Sequence, residues 1–172
     1  MIFQHTWEKV LSGEKTQTRR IVKPGDGFTT PLSVGVVGRY RGHVITTIPN
    51  YAKPSPGFNN IYSVCNGKRT VYQVGKDYAV QPGRGKPAVA RIEIVNIRRE
   101  HVRRISREDA KAEGFVNQYD FFYTWVAMHD QTANKILLKT GGYAHLEYAP
   151  DERYQAWVLI FRLVDQPAPD AG

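Results

Sequence analysis

Trp7, Val10 and Leu11 recur at helical spacing behind Thr6, and Gly13 follows as a left-handed stop, which predicts one short helix near the start of the chain. The next stretch, Thr16 to Val22, predicts a strand of unusual content. Lys15, Thr16, Gln17, Thr18, Arg19 and Arg20 stand in a row, and the only apolar residues, Ile21 and Val22, come at its end. A structural strand normally alternates polar with apolar side chains. So many donors and hydroxyls suit either a site for a polar or anionic ligand or a solvated edge strand guarded by Lys and Arg.

Lys23-Pro24-Gly25-Asp26-Gly27 reads as a turn or loop. Val34 to Ile48 reads as a strand pair broken around Arg41-Gly42, and the proline-bearing run Asn50 to Asn60 as an irregular loop. Asn66-Gly67 between IYSVC and RTVYQV is the strongest hairpin signal in the chain. Tyr78 to Gln81 predicts a short strand, and Pro82 to Pro87 a basic loop without the spacing or following helix of a phosphate-binding loop. Ala88 to Ile97 alternates cleanly and predicts a central strand. Ser106 to Asp109 resembles a capping box opening a helix over Arg107 to Glu113 that stops at Gly114. Phe121, Phe122, Trp125 and Val126 give a second helix, about Asp120 to Met128, its apolar stripe. Ile136 to Leu138 with Gly141-Gly142 reads as a hairpin or ordered loop, and AWVLIFRLV, Ala156 to Val164, as a buried strand. Short strands with a few short helices predict an α+β fold, a small mixed β-barrel decorated by helices, ending in a tail over Pro167 to Gly172.

At 172 residues the chain is expected to form one domain, residues 1–166, and 41% hydrophobic content is enough for a core. No apolar run reaches membrane-spanning length, and the opening Met1 to His5 has neither a basic leader nor a cleavage site, so a cytoplasmic protein with no membrane partner is expected. The single cysteine, Cys65, excludes an internal disulfide and a cysteine-cluster metal site. The five histidines lack metal-ligand spacing, so neither metal nor cofactor is expected. The balance of 24 Lys+Arg against 16 Asp+Glu gives a formal +8, which points to phosphates and hence to nucleic acid or nucleotides. The basic residues crowd two segments, Lys15 to Lys23 and Arg98 to Arg107, and aromatics are plentiful (10 Tyr, 7 Phe, 3 Trp). Basic groups that grip a backbone and rings that stack on unpaired bases are the physics of single-stranded recognition.

Gly13-x-Lys15-x-x-x-x-Arg20 after a short helix resembles the signature of the ASCH domain family. Three further pieces are similar in the same order: Val74 to Tyr78; Ala90 to Ile94 leading into Ile105 to Phe115; and Trp157 to Phe161. The resemblance covers most of residues 3 to 164. It is weakest at Arg39 to Gln73 and Gln131 to Arg153, which read as two insertions. It implies a PUA-like fold, a small β-barrel flanked by helices, and an association with RNA. One branch of the family removes the acetyl group of N4-acetylcytidine with a Lys, a Thr three residues on and a distant Glu; position by position these fall on Lys15, Thr18 and Glu113. Other branches are ribonucleases or plain RNA binders, and all three roles stay open on the sequence.

For amide hydrolysis Lys15 serves either as the base, if its pKa falls far below the usual ~10.4, or as the charged partner of the oxyanion. Lys15 and Thr18 would face opposite sides of a regular strand, so a shared site requires Lys15 to lie before the strand or a bulge between them. A carboxylate at Glu113 opposes its helix dipole, a mild local cost that suits a non-structural role. The substrate or RNA is expected to meet Arg19, Arg20, Tyr78, Arg84, Arg98, Arg99 and Arg103. The expected partner is a modified nucleoside or RNA, and no obligatory protein partner is evident.

Overall fold

The computed structural model of the protein describes residues 1–3, 6–30, 38–40, 43–45, 61–130 and 154–165. The first helix, α1, is Trp7–Leu11; Thr6 occupies its N-cap without a side-chain bond, and Gly13 turns the chain out at φ +77°. Strand β1 is Gln17–Ile21 and β2 is Asp26–Thr29; β3 (Gly38–Tyr40) and β4 (His43–Ile45) form a small antiparallel pair. β5 is Ser63–Asn66, β6 Arg69–Gln73 and β7 Asp77–Val80. The long β8, Ala90–His101, runs into a 3-10 turn at Val102–Arg104. Helices α2 (Arg107–Ala112) and α3 (Gln118–His129) follow, and β9 is Gln155–Asp165.

The named strands pair antiparallel in sheets ordered β1-β9-β8-β7, β2-β5-β6 and β3-β4. The larger two pack face to face. Phe28, Ile61 and Val64 from one side meet Ile94, Ile97, Trp157 and Leu159 from the other. The expected barrel is corrected here: among the described residues the sheets do not close on themselves, and the fold is α+β with separate sheets. On the other side of the four-stranded sheet Ala110 of α2 and Phe121, Phe122, Trp125 and Val126 of α3 bury against Ala156. α1 closes one end through Val10, which packs with Phe3, Ile92 and Phe161.

Most expected elements stand within a residue or two of their sequence reading, and the differences have local causes. Asp26 and Gly27, read as part of a turn, begin β2, because β5 offers a partner in register, Asp26 opposite Asn66. The hairpin turn falls on Gly67-Lys68, since Asn66 pairs with Arg69. β8 outruns its expected end at Ile97 by four residues, Arg98 to His101, which pair with β9 from Val158 to Gln155. Its alternation breaks between Ile94 and Asn96, where the register shifts and Val95 is 41% exposed. This bulge resets the parity of the strand, so Ile97 returns to the core while Arg98 and Glu100 face the helices. The readings for 50–60, 136–142 and 167–172 lie outside the described residues. Among the described residues no helix is long and apolar enough to cross a membrane.

Candidate functional site

The segment singled out by its polar content enters the core at once. Lys15 follows the Gly13 turn and precedes β1, its N–H bonded to the Lys9 carbonyl at 2.8 Å. Thr16 then ties the segment to α2 by donating to the Ala112 carbonyl (2.9 Å). Because Lys15 is outside the strand, β1's alternation does not fix its side chain. Its ammonium reaches the end of α2 and donates to the Glu113 backbone carbonyl and, at 2.9 Å, to Glu113 Oε2. Both side chains are buried, Lys15 at 4% exposure and Glu113 at 3%. Glu113 is the C-cap of α2, held in place by Gly114, which turns the chain at φ +85°.

Arg19 supplies the second cation of the cluster. Its guanidinium is fully buried, lies 5.4 Å from the Phe121 ring centroid, and donates to Glu113 Oε1 (3.1 Å), Glu100 Oε2 (3.0 Å) and Asp109 Oδ2 (3.1 Å). Arg98 closes the far side, bonded to Asp109 and to Glu100 (3.3 Å). The cluster therefore holds three basic groups, Lys15, Arg19 and Arg98, against three carboxylates, Glu100, Asp109 and Glu113. Sheet register explains the gathering. Arg19 and Arg98 flank Val158 on neighbouring strands, and Glu100 lies opposite Ala156, all on the helix side of the sheet. Gln17, on the same side, donates to the Asp109 carbonyl at 2.8 Å.

Burial is the largest influence on Lys15 and holds its pKa below the ordinary 10.5, despite the opposing charge and hydrogen bond of Glu113; repulsion from Arg20, then Arg19, adds to the lowering. For Asp109, burial pushes the carboxyl up, but the bonds and charges of Arg98 and Arg19 together outweigh it and hold the group below 3.8.

Thr18 is buried at 6% and pairs opposite Leu159, on the core side of β1 away from Gln17 and Arg19. Among the described residues its hydroxyl has no hydrogen-bond partner. Arg20 shares that side, with Nη2 on the Ile2 carbonyl (2.9 Å) and its guanidinium carbon 5.5 Å from the Phe3 ring centroid. Its Nε is buried without a partner, and it meets no carboxylate among the described residues. The structure thus brings Lys15 and Glu113 into direct contact and places Thr18 on the opposite side of β1 from Arg19, with no hydrogen bond from Thr18 to Lys15 or Glu113.

The remaining expected contacts are dispersed. Tyr78 is half-buried, its ring 6.3 Å from that of Tyr72, and its phenol, bonded to the Gln73 backbone, is pushed up chiefly by burial. Arg84 is exposed on the loop after β7. Arg99 lies opposite Trp157 on β9, half-buried. Arg103 is exposed, its guanidinium carbon 5.6 Å from the Phe122 ring centroid and 5.9 Å from that of Tyr154. Arg19 and Arg98, expected to face a substrate, are engaged by carboxylates of the protein itself. Sequence reading missed Glu100 and treated Asp109 only as a cap. Opposite charges at Arg98 and Glu100, two positions apart and so on one strand face, were the available signal. Among the described residues no group of His, Cys, Asp and Glu side chains is arranged to hold a metal ion.

The fold and site define a small α+β domain with a charge-balanced cluster at the junction of β1, β8 and α2, buried at Lys15, Arg19 and Glu113 and partly exposed at Arg98, Glu100 and Asp109. No protein-family model matches the chain, and no curated protein does. Among solved structures it is similar to the crystal structure of protein EF3133 from Enterococcus faecalis V583, of the family DUF984, with a TM-score of 0.48 and 16% identity over 98% of this chain and 76% of that one.

Proposed function

We propose that this protein is a PUA-like ASCH hydrolase that cleaves the exocyclic amide of an N4-acylated pyrimidine nucleoside, of the N4-acetylcytidine type. The observation that carries this reading is the buried Lys15–Glu113 contact. A lysine kept at 4% exposure with a lowered pKa is suited to take a proton, and a carboxylate touching it is suited to pass one on.

In the reaction Lys15 accepts the proton of the nucleophile, either the Thr18 hydroxyl or a water that Thr18 orients. The nucleophile attacks the acyl carbon, and negative charge develops on the acyl oxygen. Arg20, which has no carboxylate partner among the described residues, supplies the positive field there. The C–N4 bond then breaks, and the proton passes through Glu113 to the leaving amine. Attack by water releases cytidine and acetate directly. Attack by Thr18 first forms an acyl ester, which water hydrolyses in a second step.

A second reading, an RNA-binding module or a ribonuclease, is favoured by the exposed run Arg103, Arg104, Arg107 and Lys111. Incubation with N4-acetylcytidine followed by chromatography, alongside a structured RNA, separates the readings. Turnover of the nucleoside that is lost in Lys15→Ala and Glu113→Ala is the expected result. RNA cleavage abolished by Lys15→Ala, with no nucleoside turnover, would replace the amidohydrolase by a ribonuclease. Neither activity, with RNA affinity that falls steeply with salt, would leave a binding module.

A further inference from the structure

A buried lysine in contact with one carboxylate tends to become a locked ion pair, because each partner stabilises the charge of the other. Such a lysine holds its proton too tightly to act as a base. Here the Glu113 carboxylate is divided. Oε2 accepts from Lys15 at 2.9 Å, and Oε1 accepts from Arg19 at 3.1 Å. Arg19 has no freedom to leave, since its other terminal nitrogen is held by Glu100 and Asp109 and its face lies on Phe121. Arg98 in turn engages Glu100 and Asp109 from the far side, which leaves part of the Arg19 charge for Glu113.

We infer that Arg19 is a positioning residue: by holding one oxygen of Glu113 it keeps the carboxylate from locking the Lys15 proton in place, and it fixes the other oxygen toward Lys15. The inference rests on the reading of Lys15 as the proton acceptor. The charged groups around Lys15 are Glu113 at the end of α2, Arg19 and Arg20 on β1, and, through Arg19, Asp109 of α2 with Glu100 and Arg98 of β8. Lys9 of α1 lies on the other side of Gly114, bonded to its carbonyl at 2.8 Å and to Glu14 at 2.9 Å. The balance among these groups is specific: two like charges, Arg20 and Arg19, act on Lys15, and the one carboxylate touching it is shared with Arg19.

The test is a side-chain NMR titration of Lys15 in isotopically labelled protein without substrate, with deacetylation followed over the same pH range. Arg19→Met is expected to raise the Lys15 midpoint by about one unit, the size of an unshared neighbouring charge, and to move the acid limb of kcat/KM alkaline by the same amount. Arg19→Lys, which retains the charge, is expected to restore most of both. A purely structural role would lower the melting temperature and leave the midpoint of the folded protein where it was, and that result overturns the inference. If Arg19→Met does not fold, Arg98→Met takes its place. Glu100 and Asp109 then compete for Arg19, and a smaller upward shift is expected; a fixed midpoint in that variant likewise overturns the inference. A moving midpoint in a protein without nucleoside turnover supports the role of Arg19 and rejects the hydrolase. A fixed midpoint in an active enzyme does the reverse.

Discussion

Lys15 and Glu113 are 98 positions apart, yet one ammonium meets both the backbone carbonyl and the carboxylate of the same residue. The double contact fixes the C-terminal end of α2 against the start of β1 as well as pairing two charges. Glu113→Gln keeps the shape and the carbonyl contact while removing the charge. It is expected to lower deacetylation by about 10²–10⁴-fold, the usual scale for a lost proton-transfer group. Lys15→Met is expected to abolish turnover and to lower stability by no more than about 3 kcal/mol, because Glu113 retains Arg19. Steady-state kinetics and urea denaturation of both variants provide the check.

The proton affinity of Lys15 makes a stability prediction independent of activity. Its folded pKa lies below the ordinary 10.5, so between those two values the unfolded chain binds more protons than the folded one. Stability linked to this group therefore rises as pH climbs through the folded value and levels off above about 10.5. The difference in unfolding free energy between the wild type and Lys15→Met, measured from pH 7 to 11, is expected to move in favour of the wild type over that window. A flat difference would mean that Lys15 titrates alike in both states.

Asp109 behaves in the opposite sense. Its folded pKa is held below 3.8, so its contribution is complete above the unfolded value and disappears as pH falls through the folded one. Asp109→Asn is expected to flatten the acid end of the stability profile while leaving the Ser106 cap in place, since that bond uses the Asp109 backbone N–H (3.0 Å). Acid titration followed by circular dichroism decides this.

Gly114 is constrained twice. Its φ of +85° disfavours any side chain, and a Cβ would stand 3.0 Å from Lys9 Cδ and 3.8 Å from Lys15 Cβ. Gly114→Ala is expected to lose about 1–2 kcal/mol from the left-handed conformation, with a further loss of activity as the strained turn shifts the adjoining Glu113; Lys9 is the side chain that must give way, while Lys15 stays in ordinary contact. The midpoint of chemical denaturation measures the first effect, and kcat the second.

Asp26 links the two larger sheets. Its Oδ2 accepts from Trp157 Nε1 (3.0 Å) and the Lys23 N–H (2.9 Å), and its Oδ1 from Asn66 Nδ2 (2.8 Å). Asp26→Ala strands the indole N–H beside a core tryptophan and is expected to cost about 1–3 kcal/mol, visible in the intrinsic fluorescence on unfolding.

Much of this fold was legible because its signals are local. Ser106 caps α2, Asn66-Gly67 marks a hairpin, and the Phe121 to Val126 stripe packs as a core face. The motif around Lys15 also drew attention to the segment that enters the cluster. The partners of Arg19 and Arg98 were not legible, because a basic run looks the same whether it faces water or carboxylates from distant strands. The bulge at Val95 decided that question for β8, and one extra residue in an alternating strand leaves no composition signal. That the sheets of the described residues do not close into a barrel was hidden for a similar reason, since strand content is local and closure is not.

The sheet order has a temporal consequence. β9 lies between β1 and β8, so Arg19 and Arg98 face the same way only because a strand from much later in the chain separates and aligns them. On a ribosome, the residues through Glu113 emerge with every charged member of the cluster already made but without the template that sets their spacing. Until Gln155–Asp165 is available, burying Arg19 and Glu113 has no fixed geometry to offset the loss of water. The cluster is therefore a late product of folding, and a chain truncated before β9 would carry all six charges and no site.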